Sequence, residues 1–273
     1  MAKVTIFSDL DGTLLHPKTY SFEEAKSAIR LIKETSIPLV LCSSKTRAEI
    51  DVYRKRLGNS HPFVSENGGG IFVPKGYFKS VGWAVPTISY DEYETIVIGS
   101  PYQEIRKTFL ELKLELNAKV IGFGDMTARE IAALSGLIEE EATLAKQREF
   151  GEPFIFERET DERFLKAIEE KGLHWTQGRF FHIMGNNDKG KAVKILKHLY
   201  EKAFREIVTI GLGDGFNDLP MLKEVDHPVL IPKEDGSYDT RVELPNLTKA
   251  KRIGPSGWDE EVLLAIKELT TSR

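Results

Sequence analysis

Val4-Thr5-Ile6-Phe7-Ser8-Asp9-Leu10-Asp11-Gly12-Thr13-Leu14-Leu15 is the stretch on which the rest of the chain turns. Its opening residues are apolar or β-branched, which over so short a window favours a buried strand over a helix. The Asp-Gly pair breaks that strand, so Asp9 and Asp11 stand at its carboxyl end. That is the edge at which α/β sheets build their sites. Two carboxylates two residues apart on an extended chain point the same way and repel. A divalent cation offsets the repulsion. Oxygen ligands with no nearby Cys or His favour magnesium (Mg2+), which keeps waters for the phosphate oxygens of a substrate. Gly12 lets the backbone turn where an anion approaches, and the N–H groups after it can face the anion's oxygens. Asp and Gly are also what an ordinary turn uses, so this stretch alone leaves a plain strand and turn open.

A second acidic cluster shifts the balance. Far downstream, Ile207-Val208-Thr209-Ile210-Gly211-Leu212 reads as another buried strand, and it runs into Gly213-Asp214-Gly215-Phe216-Asn217-Asp218. In a parallel sheet all such strand ends lie on one edge, so strand order decides whether the two loops meet. If they do, several carboxylates converge on one cation. Asp218 has a duller alternative as the cap of a helix beginning at Leu219.

Between these loops strand and helix alternate as in a doubly wound parallel sheet. Ser21-Phe22-Glu23-Glu24 has the form of a capping box, and Ala25, Ala28, Ile29 and Ile32 follow at helical spacing. Ile37 to Cys42 is a second strand ending in Ser43-Ser44-Lys45-Thr46-Arg47. Pro62 to Ser65 is a third, ending in Glu66-Asn67 and a run of glycines. From about Trp83 the rhythm changes to short strands, including Thr95-Ile96-Val97-Ile98, mixed with helical runs. Residues 83–186 are therefore expected to form an inserted α+β module, with 1–82 and 187–273 as the core. Asp188-Lys189-Gly190-Lys191 reopens the core with an amphipathic helix, in which Lys189 and Lys191 are rival candidates for one cationic position.

At 273 residues with a net charge of −4, the chain is long enough for a core and a second module, and its charge gives no support to nucleic-acid or membrane binding. A small molecule is the expected partner. A single cysteine, Cys42, excludes an internal disulfide and fits a reducing compartment. With acid at Asp9 too early for a signal segment, a cytoplasmic protein is expected. The 29% charged content leans toward a heat-adapted composition.

These residues resemble the haloacid dehalogenase superfamily of phosphohydrolases, whose four motifs occur in order: Asp9-Leu10-Asp11-Gly12-Thr13, then Ser43, then Lys189, then Gly213 to Asp218. The resemblance implies a Rossmann-like core, an inserted cap of the C2 type and a magnesium-dependent phosphatase. It implies Asp9 as nucleophile, Asp11 as acid and base, and Ser43 and Lys189 as phosphate partners. Asp9, the Asp11 backbone carbonyl and Asp214 are implied as metal ligands, with Asp218 a ligand through water or an orienter. Leu41 to Ile50, Glu66 to Gly69 and Arg148 to Phe154 are similar to mannosyl-3-phosphoglycerate phosphatases, although general sugar phosphatases of the group carry Thr-Gly-Arg where this chain has Ser43-Ser44-Lys45. The substrate implied is a small phosphorylated sugar or glycerate, bound with help from Thr13, Ser44 as a rival to Ser43, Asn67, Arg148, Arg179, His182 and Asn217. A monomer or homodimer is expected. Rival readings are other capped sugar-phosphate or phosphoglycolate phosphatases, a phosphomannomutase, and a phospho-accepting receiver module. A receiver keeps its acidic pair and its phosphorylated Asp on different strands and is about half this length.

Overall fold

The computed structural model describes residues 3–79, 81–82 and 85–271. The first part alternates β1 (Lys3–Ser8), α1 (Lys26–Glu34), β2 (Leu39–Cys42), α2 (Arg47–Leu57) and β3 (Phe63–Ser65), then adds β4 (Gly70–Pro74), β5 (Ile88–Tyr90) and β6 (Tyr93–Val97). The middle runs α3 (Tyr102–Glu115), β7 (Val120–Gly122), α4 (Ala128–Ser135), α5 (Glu139–Ala145), β8 (Gly151–Phe156), α6 (Glu162–Glu170), β9 (His174–Gln177) and β10 (Phe181–Met184). The last part runs α7 (Lys189–Phe204), β11 (Ile207–Gly213), α8 (Leu219–Glu224), β12 (His227–Leu230), β13 (Thr248–Lys249) and α9 (Gly254–Thr271).

Two sheets result. The large one has the order β13-β12-β11-β1-β2-β3-β4-β6-β5, parallel from β13 to β3 and antiparallel beyond. The small antiparallel one has the order β7-β8-β10-β9. Because β1 lies between β2 and β11, the direction of winding reverses beside it. That reversal opens a crevice at the carboxyl ends of β1 and β11, where both acidic loops emerge.

Period-two alternation explains why the central strands are buried on both faces. Ile6, Leu39 and Leu41 pack with α1 and α9, including Trp258 and Val262. Their neighbours Phe7, Val40 and Cys42 point to the opposite face and meet Val193, Leu196 and Tyr200 of α7 and Met221 of α8. Each such side chain contributes roughly 1.5–3 kcal/mol of burial. A separate apolar cluster joins Ile105 and Phe109 of α3 and Phe164 and Ile168 of α6 to Phe154 and Ile183 of the small sheet.

Two expectations differ from what forms. The Thr95-containing segment, expected within the inserted module, is β6, and with β5 it extends the large sheet through β4. Trp83, where the boundary was expected, lies outside the described residues. The capping box at Ser21 is also absent, because Ser21 Oγ accepts the Glu23 N–H at 3.2 Å, two residues on instead of three. A 3₁₀ turn over Glu23–Ala25 follows, and α1 begins only at Lys26. Boxes do form at α2, between Thr46 and Glu49, and at α4, between Thr127 and Glu130, and Gly58 in the left-handed region closes α2.

Candidate active site

β1 and β11 run in register, and Asp9, one step beyond β1, donates its N–H to the Leu212 carbonyl at 2.9 Å. That contact carries the nucleophile candidate to the second acidic loop. Carboxylate oxygens of Asp9, Asp214 and Asp218 all lie within 4.8 Å of one another. Asp218 is fully buried, and its Oδ2 accepts the N–H groups of Asp214 and Gly215 at 3.0 and 3.1 Å. It makes no side-chain cap bond to α8, so it braces the loop instead.

Lys189 opens α7, whose N-cap Asp188 accepts the Lys191 N–H. Its ammonium is fully buried and donates to Asp9 Oδ1 and Asp218 Oδ1, each at 2.6 Å. The rival Lys191 is turned away and bonds Asn186. Gly12 has φ +78°, and a Cβ there would collide with the Asp214 carboxylate. Glycine is therefore what lets the first loop pass against the second.

The electrostatics call for a cation. Burial pushes Asp9 up to about 7, with Lys189 opposing and Asp218 and Asp11 adding to the rise. Burial and the neighbouring Asp9 and Asp218 push Asp214 up as well. Asp9, Asp11, Asp214 and Asp218 outnumber Lys45 and Lys189 by two charges. The donors are all oxygen, so the residues fit a hard divalent cation.

Asp11 is partly exposed, and its Oδ2 meets the Lys45 ammonium at 3.1 Å. Its Oδ1 is buried and has no hydrogen-bond partner among the described residues. Lys45 is itself only 5% exposed; it also reaches Glu49 at 3.4 Å and lies over the rings of Tyr20 and Tyr53. Burial alone would lower the Lys45 pKa, but the Asp11 and Glu49 carboxylates override it and hold the ammonium charged.

A cavity of about 530 Å³ opens over these loops, walled by Asp9, Asp11, Asp214 and Ser44 below and by Arg148, Arg179 and His182 from the small-sheet segment. Asn217 also lines it and donates to Asn67 Oδ1 at 3.3 Å. Ser43, Thr13 and Asn67 are buried and are not part of the wall. Ser43 Oγ accepts the Lys45 N–H at 3.2 Å, and the Thr13 N–H is taken by the Leu10 carbonyl.

The three cap candidates are placed differently from one another. Arg148 pairs with the buried Glu66 at 3.1 Å and donates to the carbonyls of Ser44 and Gly151. Glu66 also accepts the N–H groups of Glu149 and Phe150, so this cluster ties the inserted segment to the core. Burial raises Glu66 to about 7 against the pull of Arg148. His182 is buried and lowered to about 3 by desolvation, Arg148 and Lys189, which leaves it neutral at ordinary pH. Its Nδ1 is buried and has no hydrogen-bond partner among the described residues. Arg179 is exposed at the cavity mouth and donates to the Tyr20 hydroxyl at 3.1 Å and the Leu134 carbonyl at 3.2 Å. The Tyr20 hydroxyl in turn donates to the Ser135 carbonyl at 2.7 Å, so a core loop and the inserted segment are latched across the opening.

The haloacid dehalogenase-like hydrolase family matches residues 6–83 and 139–233. A Methanococcoides burtonii protein called glucosyl-3-phosphoglycerate/mannosyl-3-phosphoglycerate phosphatase is 45% identical, covering 96% of either chain. A Persephonella marina protein of the same description is 44% identical over 97% of this chain and 98% of its own. A crystal structure of a Thermoplasma acidophilum protein superimposes with a TM-score of 0.67 over 99% of both chains at 18% identity, which speaks to the fold alone.

Proposed function

The chain belongs to the haloacid dehalogenase-like hydrolase family, and we propose that it is a magnesium-dependent phosphatase that releases phosphate from mannosyl-3-phosphoglycerate or its glucosyl counterpart. The observation that carries this reading is the meeting of Asp9 and Asp214 beside Lys189 at the floor of a cavity roofed by the inserted segment. Relatives at 44–45% identity over nearly the whole chain carry both sugars in their descriptions, which supports a substrate of that class. We assign the catalytic core to 1–82 and 187–273 together with the β5–β6 hairpin, and substrate selection to the segment from α3 to β10.

In this reading Asp9 attacks phosphorus and forms an aspartyl-phosphate, dividing one slow hydrolysis into two displacements. Asp11 protonates the departing glycerate oxygen, then takes a proton from the water that cleaves the intermediate. Lys189 offsets the charge shared by Asp9 and the phosphoryl group. A hydroxyl from Ser44, which lines the cavity, or from Ser43 behind it, donates to a phosphoryl oxygen. Asp9, the Asp11 carbonyl and Asp214 would hold the magnesium, with Asp218 bracing the loop. When bound, the cation draws charge from the phosphoryl oxygens. Among the described residues no helix is long and apolar enough to cross a membrane, and with the buried free thiol of Cys42 this supports a cytoplasmic setting.

The test is a phosphate-release screen of both glycosyl-3-phosphoglycerates, sucrose 6-phosphate and hexose phosphates. Chelation is expected to stop release and magnesium to restore it; turnover that persists in excess chelator contradicts the metal assignment. Release of free phosphate separates this reading from a mutase, which returns the group to the sugar. Arg179→Gln is expected to lower kcat/KM on the glycosyl-phosphoglycerate about tenfold or more, the scale of a lost charge-assisted bond, while sparing an aryl phosphate. Equal losses on both esters would remove Arg179 from substrate selection.

A further inference from the structure

We propose that Lys45 is the positioning residue for Asp11, fixing the carboxyl group through which protons pass to and from the ester oxygen. The proposal rests on Asp11 being the acid and base of the reaction. Among the described residues the Lys45 ammonium, at 3.1 Å, is the single partner of the Asp11 carboxylate, whose other oxygen has none. An acid with so few restraints is oriented by whatever holds that one contact.

Lys45 is built to hold it. Its backbone is tied at both ends, with its N–H given to Ser43 Oγ and its carbonyl accepting the Glu66 N–H at 3.0 Å. It directly precedes Thr46, the N-cap of α2, so the Thr46–Glu49 box sets Glu49 one turn away and within 3.4 Å of the ammonium. The faces of Tyr20 and Tyr53 close the remaining sides at 5.0 and 5.5 Å. A buried lysine with so many fixed neighbours loses little entropy on ordering the carboxylate it meets.

In the first displacement an Asp9 oxygen bonds to phosphorus as the ester phosphorus–oxygen bond breaks, the electron pair of the broken bond stays on the leaving oxygen, and the Asp11 proton joins that oxygen. The resulting carboxylate remains anchored to Lys45 and, in the second displacement, accepts a proton from water as the water oxygen bonds to phosphorus and the Asp9 oxygen–phosphorus bond breaks, which returns Asp9 as a carboxylate and releases phosphate. An alkyl ester needs that proton, because an alkoxide is a poor leaving group. An aryl ester with a stable phenolate hardly needs it.

The experiment measures kcat/KM, which reports the first displacement and not the hydrolysis common to both esters, on an alkyl phosphate such as glycerol phosphate and on p-nitrophenyl phosphate for Asp11→Asn, Lys45→Met, Lys45→Arg and the Asp11→Asn/Lys45→Met pair. Lys45→Met is expected to cost about tenfold or more on the alkyl ester, part of the roughly 10²–10⁴-fold that a positioned acid supplies, and less than about threefold on the aryl ester. Lys45→Arg should restore most of the loss, and Lys45→Met should add nothing in the Asp11→Asn background. Equal losses on both esters, or losses that multiply in the pair, overturn the role of Lys45. If Asp11→Asn itself affects both esters alike, the acid assignment fails and the proposal falls with it. Should Lys45→Met not fold, Glu49→Gln, which loosens the ammonium from its far side, must show the same ester preference for the proposal to stand.

Discussion

Asp9→Asn is expected to lower phosphate release by at least about 10⁴-fold, the scale on which removal of a covalent nucleophile is felt, while leaving metal-free stability at neutral pH unchanged or raised. The two halves of this result have one cause. Asp9 is 4% exposed, and its carboxyl is raised from 3.8 to about 7 by burial, with Asp218 and Asp11 adding and Lys189 opposing. A group whose folded value is raised contributes stability that is complete below its unfolded value and is lost as pH climbs through the folded one. Metal-free wild-type protein should therefore lose stability between about pH 4 and pH 7, and the Asn variant should lose less. Magnesium should raise the melting temperature of the wild type more than that of the variant, because the variant lacks one ligand. Calorimetric scans at pH 5 and pH 8, with and without magnesium, read all of this. Near wild-type turnover in Asp9→Asn would remove Asp9 from the reaction.

The parts of this site visible in the sequence are those carried by local pattern. β1 and β11 are buried on both faces, so each shows as an unbroken apolar run ending at an acidic loop. Their pairing is a matter of strand order, which the sequence left open and which the sheet resolves by setting β11 beside β1. β4 was hidden for the opposite reason. Gly68-Gly69-Gly70 reads as a loop, yet it leads straight into a strand, because side chains at Gly69 and Gly70 would strike the ring of Phe150. Only the tertiary neighbour explains the glycines.

Lys45 and Tyr20 were illegible for a related reason. A lysine in a polar strand end reads as solvated, and its burial depends on Asp11, Tyr20 and Tyr53, which come from elsewhere in the chain. Tyr20 lies in an irregular loop at φ +54°, where no periodicity marks it, and its bonds to Ser135 and Arg179 cross to the inserted segment. Arg148 carries a second role that its position in the sequence did not show. It was expected to meet the substrate, and it lines the cavity, while its guanidinium also pairs with Glu66 and donates to two carbonyls, which joins the segment to the core.

Lys189→Met is expected to cost roughly 3–5 kcal/mol of stability, the range seen when one partner of a buried ion pair is removed, and to lower turnover by about 10²-fold or more through lost charge stabilisation. The lysine is fully buried between two carboxylates at 2.6 Å each, so its removal leaves Asp9 and Asp218 facing each other with no counter-charge. Methionine fills the volume and supplies none of the charge, which makes the penalty electrostatic rather than a cavity effect. Buried carboxylates answer such a loss by holding protons more tightly. Asp9 already stands at about 7 with Lys189 present, and without it the value can only rise. The sign follows from that rise: the variant approaches wild-type stability in acid, below the ordinary carboxylate range, and falls away as pH climbs through neutrality. Urea midpoints at pH 5 and pH 8 should therefore differ more for Lys189→Met than for the wild type. Magnesium should narrow the gap by supplying positive charge from the other side of Asp9. Adding Asp9→Asn to Lys189→Met should recover part of the loss, because one of the two stranded charges is then gone. A variant equally destabilised at both pH values and indifferent to magnesium would mean that Lys189 acts by packing alone, and the balance of charge at the floor of the cavity would have to be redrawn.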